Sequence, residues 1–131
     1  MENQYQGQEK RQSRRLLIRL AMLYRVDKPL FVRMQVGNKE VLATTIDLSE
    51  GGIAISSNYD IPVKTVLLIK FTLYRINFDG KVKSYGPMEI IGEVRYNTAL
   101  DKKRYRLGIC FTKLNEKDKS EIRDFVNLAF K

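Results

Sequence analysis

Val41-Leu42-Ala43-Thr44-Thr45-Ile46 runs into Asp47-Leu48-Ser49-Glu50-Gly51-Gly52, and that into Ile53-Ala54-Ile55. Two apolar, β-branched runs flank an acid, a hydroxyl and paired glycines, a pattern that predicts two strands joined by a tight turn. Glycine reaches φ > 0 without steric cost and lets another chain or a ligand approach the backbone closely. Asp47 and Ser49 can offer an acceptor and a hydroxyl from one edge. Taken alone, these six residues also read as an ordinary hairpin turn.

Outward from this hairpin the chain is mostly strand. Leu20, Met22, Tyr24 and Val26 alternate with Ala21, Leu23 and Arg25, predicting a strand near 19–26; a helix through Leu16, Leu20 and Leu23 competes. Asp27-Lys28-Pro29 breaks that run, 31–36 extends the pairing, and Val36-Gly37-Asn38-Lys39 reads as a turn. The strand before the glycines runs from about Glu40 to Leu48, and the one after them from Ile53 to Ser56. Thr65 to Leu73 is the clearest strand, with Leu67, Ile69, Phe71 and Leu73 on one face. Phe78-Asp79-Gly80-Lys81 signals a turn, so Tyr74–Asn77 and Val82–Ser84 lengthen the strands beside it. Strands follow at 88–97, with Ile90, Val94 and Tyr96 on one face, and at 104–111, with Arg104 and Arg106 pointing outward. Asn115 is a good N-cap, with Glu116 and Asp118 at the positive end of the helix dipole. Ile122, Phe125, Val126, Ala129 and Phe130 then form one apolar stripe, giving a helix over about 115–130 that packs on the strands. About six short-spaced strands and one helix predict a mainly β fold, a closed or nearly closed barrel with the helix packed on it.

Composition sets the outer bounds. The 131 residues suit one domain, from 11 to 131, after a polar tail at 1–10 expected to be flexible. With 44% hydrophobic and 30% charged residues the chain can bury a core and remain solvated. A lone cysteine, Cys110, forms no internal disulfide and suits a reducing compartment; with no leader-like apolar segment, a cytoplasmic protein is expected. No run approaches the ~18 apolar residues of a membrane span. The net charge of +9 favours anionic partners. Part of it gathers early, in Lys10, Arg11, Arg14, Arg15, Arg19 and Arg25; a late group, Lys102, Lys103, Arg104 and Arg106, reads as a solvated loop and strand face.

The early cluster holds Arg11 and Arg15 at the spacing Arg-x-x-x-Arg, followed after one strand by Asp47-x-Ser49-x-x-Gly52. Order, separation and the surrounding strands together resemble the PilZ family of cyclic di-GMP receptors, from about Glu9 to the C-terminal helix. The resemblance implies a six-stranded antiparallel β-barrel and a non-enzymatic receptor. It also implies a protein partner, unidentified, in bacterial motility, adhesion, polysaccharide or virulence systems. Cyclic di-GMP is the implied ligand, bound by Arg11, Arg15, Asp47, Ser49 and Gly52, with Lys10, Arg14 and Gly51 as secondary candidates. Arg15 and Arg19 share the same spacing, but Arg19 stands where the first strand begins. The segment 74–87 is longer than the family pattern and lies far in sequence from both motifs.

The residue chemistry agrees with a binder. Without histidine and with one cysteine the chain offers no zinc set, no metal site is expected, and a serine nucleophile would lack its usual base. Arginine suits both halves of a cyclic dinucleotide, forking onto phosphate and onto guanine O6 and N7. Asp47 carries the phosphates' own sign, so its ligand contact would be the guanine N1 and N2 donors. Ser49 serves phosphate or base, and Gly52 supplies room. The arginines are expected to be exposed on an arm that ligand clamps across the barrel, with an affinity near micromolar after the ordering cost of roughly 1–2 kcal/mol per residue. The other readings are a small basic barrel that binds RNA or single-stranded DNA, and a degenerate PilZ module that mediates protein contacts only. No recurring aromatic-basic signature supports specific nucleic-acid binding, and the intact motif argues against degeneracy.

Overall fold

A computed structural model describes residues 15–129. In chain order it contains β1 (Leu16–Leu17), β2 (Ala21–Lys28), α1 (Leu30–Val36), β3 (Val41–Ser49), β4 (Gly52–Ser57), β5 (Val66–Ile76), β6 (Val82–Asp101), β7 (Arg104–Lys113) and α2 (Glu116–Leu128). Every pairing is antiparallel. The strands run β3-β2-β5-β6-β7-β4, and β4 returns to pair with β3, so six strands close into a ring with short β1 added beside β3. Closure removes the free edges that a sheet of this length would otherwise expose.

Alternation fills the ring. Met22, Tyr24 and Val26 of β2, Leu67, Ile69, Phe71 and Leu73 of β5, and Leu107 and Ile109 of β7 are buried in one core. The helix that competed for 16–23 is absent: Leu16 and Leu17 pair with Leu48 and Asp47, and Ala21 to Tyr24 pair with Thr44 to Val41. The Thr45 hydroxyl spans the break between β1 and β2, accepting from the Leu20 amide at 2.9 Å and donating to the Ile18 carbonyl at 2.8 Å.

Residues 31–36, expected to prolong a strand, form α1 instead. Val32 and Val36 fall at i and i+4 and are buried, and Gly37 at φ 104° stops the helix, its amide donating to the Arg33 carbonyl at 2.8 Å. Phenylalanine and valine carry strand propensity, but the buried pair at helical spacing outweighs it. The C-terminal helix forms as its sequence predicts. The Asn115 side chain accepts from the Asp118 amide at 2.7 Å, and Ile122, Phe125 and Val126 are buried. Ala129 is exposed beyond the helix end, and Phe130 lies outside the described residues. Phe125 meets the edge of Tyr85 at 5.6 Å between centroids, tying α2 to β6.

Two bulges decide which side chains leave the core. Thr45 faces Ile55 and Asp47 faces Ala54, so Ile46 is an extra residue in β3. Before it Val41 and Ala43 point inward; after it Leu48 does, and Asp47 and Ser49 face out. In β6, Val94 faces Ile109 and Tyr96 faces Gly108, so Arg95 is extra. Tyr96, expected to share a face with Ile90 and Val94, is therefore turned outward.

Tyr24 is the polar feature of the core, its hydroxyl 2.6 Å from that of Ser57. Burial pushes its phenol up to about 12, and the Ser57 hydrogen bond draws it only partly back. A raised folded-state value contributes stability that is complete below the unfolded value near 10 and lost as pH rises towards 12. Urea titrations across that window should show a loss of roughly 2–3 kcal/mol that Tyr24→Phe removes.

Candidate functional site

Asp47 lies on the outer face of β3, one residue past the bulge, with its side chain 6% exposed. Such a buried carboxylate needs partners, and two arginines supply them. Arg15, just before β1, donates from Nε at 3.2 Å and Nη2 at 2.8 Å to Asp47 Oδ1. Arg106 of β7 donates from Nη2 to Oδ2 at 3.1 Å. The two guanidinium side chains are 36% and 35% exposed, so they stand as a pair over an anion beneath them. Arg15 Nη1 also reaches the Ser49 hydroxyl at 3.4 Å, and that hydroxyl donates to the Gly52 carbonyl at 3.3 Å.

The floor is made of small residues. Asp47, Ala54, Gly108 and Tyr96 form one register row across β3, β4, β7 and β6, and Ser49, Gly52, Cys110 and Glu93 form the next. Arg106 reaches Asp47 by crossing β4, where the row offers only Ala54. A Cβ on Gly108 would sit 1.9 Å from the Tyr96 ring, so this glycine is the space the ring occupies. The Tyr96 hydroxyl accepts from Arg106 Nε at 3.3 Å. That contact and the Asp47 charge, against a smaller opposing effect of burial, hold the Arg106 guanidinium above its ordinary value, so it stays cationic.

The expected site residues divide three ways. Arg15, Asp47, Ser49 and Gly52 converge. Arg15 is not the free surface arginine expected, because it is bound to Asp47. Lys10, Arg11 and Arg14 lie outside the described residues. Arg19, the competing arginine, is exposed in the break between β1 and β2. The paired glycines form the turn without positive φ. Gly52 is needed for close approach, since a Cβ there would lie 2.3 Å from the Ile109 carbonyl oxygen. Around Gly51 that position is open space. The Gly51 carbonyl accepts from the Phe111 amide at 2.9 Å, and Glu50 Oε2 meets Arg123 Nη1 of α2 at 3.3 Å.

Arg106 and Tyr96 were not singled out by sequence. The late basic group, expected to be a solvated face, is one only in part: Lys102, Lys103 and Arg104 are exposed at a turn, but Arg106 belongs to the site. A glycine inside a strand, Gly108, was the available signal that a bulky group lies across it. Among the described residues no cluster of histidine, cysteine or carboxylates could hold a metal, and no helix is long and apolar enough to cross a membrane.

With this geometry in hand the comparisons are direct. The family model for the PilZ domain matches residues 9–128. The chain belongs to the PilZ domain family. The PilZ family comprises cyclic di-GMP-binding effectors, generally receptors without enzymatic activity. Among solved structures, the Bacillus subtilis inhibitor of motility (MotI/DgrA) shares the fold, with a TM-score of 0.66 and 13% sequence identity. The match covers 93% of this chain and 51% of that one, so this PilZ chain spans about half the length of that relative. No curated protein matches the chain in sequence.

The two glycines should respond differently to a methyl group. Gly52→Ala meets a backbone carbonyl that cannot move without β7, and should cost about 1–3 kcal/mol in urea denaturation. Gly108→Ala meets the far end of a half-exposed tyrosine that can swing outward, so its cost should be below that of Gly52→Ala.

Proposed function

We propose that this PilZ protein is a non-enzymatic receptor for cyclic di-GMP, bound on the outer face of the ring around Arg15, Asp47, Ser49, Gly52 and Arg106. The observation that carries the reading is the bracket made by Asp47. Each of its oxygens takes one arginine, which holds two guanidiniums side by side. A guanidinium has five N–H donors. Among the described residues Arg15 directs three of them to Asp47 and Ser49, and Arg106 two to Asp47 and Tyr96. The others are left for a phosphate or for guanine O6 and N7. Asp47 thereby orients the arginines and offsets part of their mutual repulsion, a role that needs no contact with the ligand.

The floor of Ala54, Gly108 and Gly52 leaves room for a flat base, and the half-exposed Tyr96 ring offers a face for a purine. Lys10, Arg11 and Arg14 complete the cationic set when ligand draws their segment to the site. The composite surface so formed is what a protein partner reads.

Calorimetric titration tests the reading. Cyclic di-GMP should bind, and GTP, cyclic di-AMP and a short RNA should bind at least tenfold more weakly, because adenine presents a donor where guanine O6 accepts. Arg15→Ala and Arg106→Ala should each weaken binding by about 1–3 kcal/mol. Asp47→Ala should weaken it comparably although its carboxylate shares the ligand's sign, because both arginines lose their anchor. Equal affinity for the guanine and adenine dinucleotides refutes the proposal. A small uniform loss at every arginine with steep salt dependence points instead to nonspecific polyanion binding.

A further inference from the structure

The segment that departs from the family pattern, 74–87, is a two-stranded ribbon that leaves the ring. β2 pairs with β5 over Val66–Lys70, and β7 pairs with β6 from Ile91 onward. Tyr74, Arg75 and Ile76 pair with Ser84, Lys83 and Val82. The tip is closed by its own hydrogen bonds: the Asn77 amide donates to the Lys81 carbonyl at 2.8 Å, the Gly80 amide to the Asn77 carbonyl at 2.9 Å, and the Lys81 amide to Asp79 Oδ1 at 2.9 Å. A tip whose polar backbone is engaged internally can enter an apolar medium at lower cost.

Its side chains are distributed unusually for a surface turn. Phe78 is 113% exposed, Ile76 75%, Val82 64% and Tyr74 62%. Tyr74, Ile76 and Val82 share one face and Phe78 stands at the tip. Arg75 and Lys83 occupy the other face, in a groove that Asp124 and Asn127 of α2 also line. Lys81 is beside the tip. Three cations and one acid, Asp79, therefore accompany four exposed apolar side chains, in a chain of net charge +9. That charge disfavours pairing with a second copy and favours an anionic surface. A narrow convex tip also offers less area than the ~800 Å² per partner of a stable protein interface. At about 3.3 Å per residue, Arg75 and Lys83 lie roughly 7–10 Å behind Phe78, the interval between the acyl boundary and the lipid phosphates.

We propose that the β5–β6 ribbon docks on anionic lipid bilayers: Phe78, Ile76 and Val82 insert shallowly, and Arg75, Lys81 and Lys83 meet lipid phosphates, with Tyr74 at the headgroup level. The proposal does not depend on nucleotide binding, since the ribbon begins β6 and Tyr96 stands near its other end.

The chain contains no tryptophan, so Phe78→Trp places a single fluorophore at the tip. Its emission should shift to the blue on vesicles of phosphatidylcholine with phosphatidylglycerol and stay unchanged on phosphatidylcholine alone. In co-sedimentation of the full chain with the anionic vesicles, the double change Ile76→Ser with Phe78→Ser should lower binding about tenfold or more. Lys81→Glu with Lys83→Glu should lower it as well. The four side chains are exposed, so the melting curves of these variants should match the parent's. No blue shift, or sedimentation that the serine pair leaves unchanged, overturns the proposal. The first result would leave the ribbon to a protein partner, and the second would assign lipid binding to the net charge alone.

Discussion

A closed ring of strands has one inside, and alternation allots every second side chain to it. Any polar group on a strand must therefore be brought to the outside by parity. In this chain simple alternation would send Asp47 and Ser49 into the core with Val41 and Ala43. The extra residue Ile46 reverses the parity, so Leu48 enters the core and the acid and hydroxyl emerge. Arg95 does the same in β6, releasing Tyr96. The two bulges flank the β4–β7 pair, and their combined effect is one outward row running from Asp47 to Tyr96. Without them the core would hold a carboxylate and the outer face would lack its centre.

The bracket on Asp47 depends in turn on ring closure. Arg15 precedes β1 and Arg106 lies ninety-one positions later in β7, yet both reach one carboxylate because β4 joins β7 to β3. Charge alone would separate these arginines. A shared acid at about 3 Å from each converts repulsion into a fixed pair, and Ser49 and Tyr96 take further donors and set the planes.

This also explains what the amino-acid sequence discloses and what it withholds. Local periodicity reveals β5, the C-terminal helix and its Asn115 cap, because each is decided by neighbours within a few residues. The motif residues Asp47, Ser49 and Gly52 are legible as a hairpin with chemistry on one edge. Arg106 is not: its neighbours make it look like an ordinary outward strand residue, and only the order β3-β4-β7 brings it to Asp47. Tyr96 is misplaced by any reading of strict alternation, since a bulge leaves little mark in composition. α1 is missed because Phe31, Val32 and Val36 favour strands individually, while their helical spacing acts only once β2 is there to cover Val32 and Val36.

β1 contains two residues and pairs beside the site itself, Leu16 with Leu48 and Leu17 with Asp47. It is the strand outside the ring, and Leu17 is largely exposed. So little pairing can open at a small fraction of the global unfolding free energy, while the six closed strands stay protected. The tether on Arg15 thus forms a cooperative unit of its own, separate from the barrel-like body. An effector that competes for the Asp47 bracket acts against that small local term alone, and the remainder of the domain stays a rigid frame.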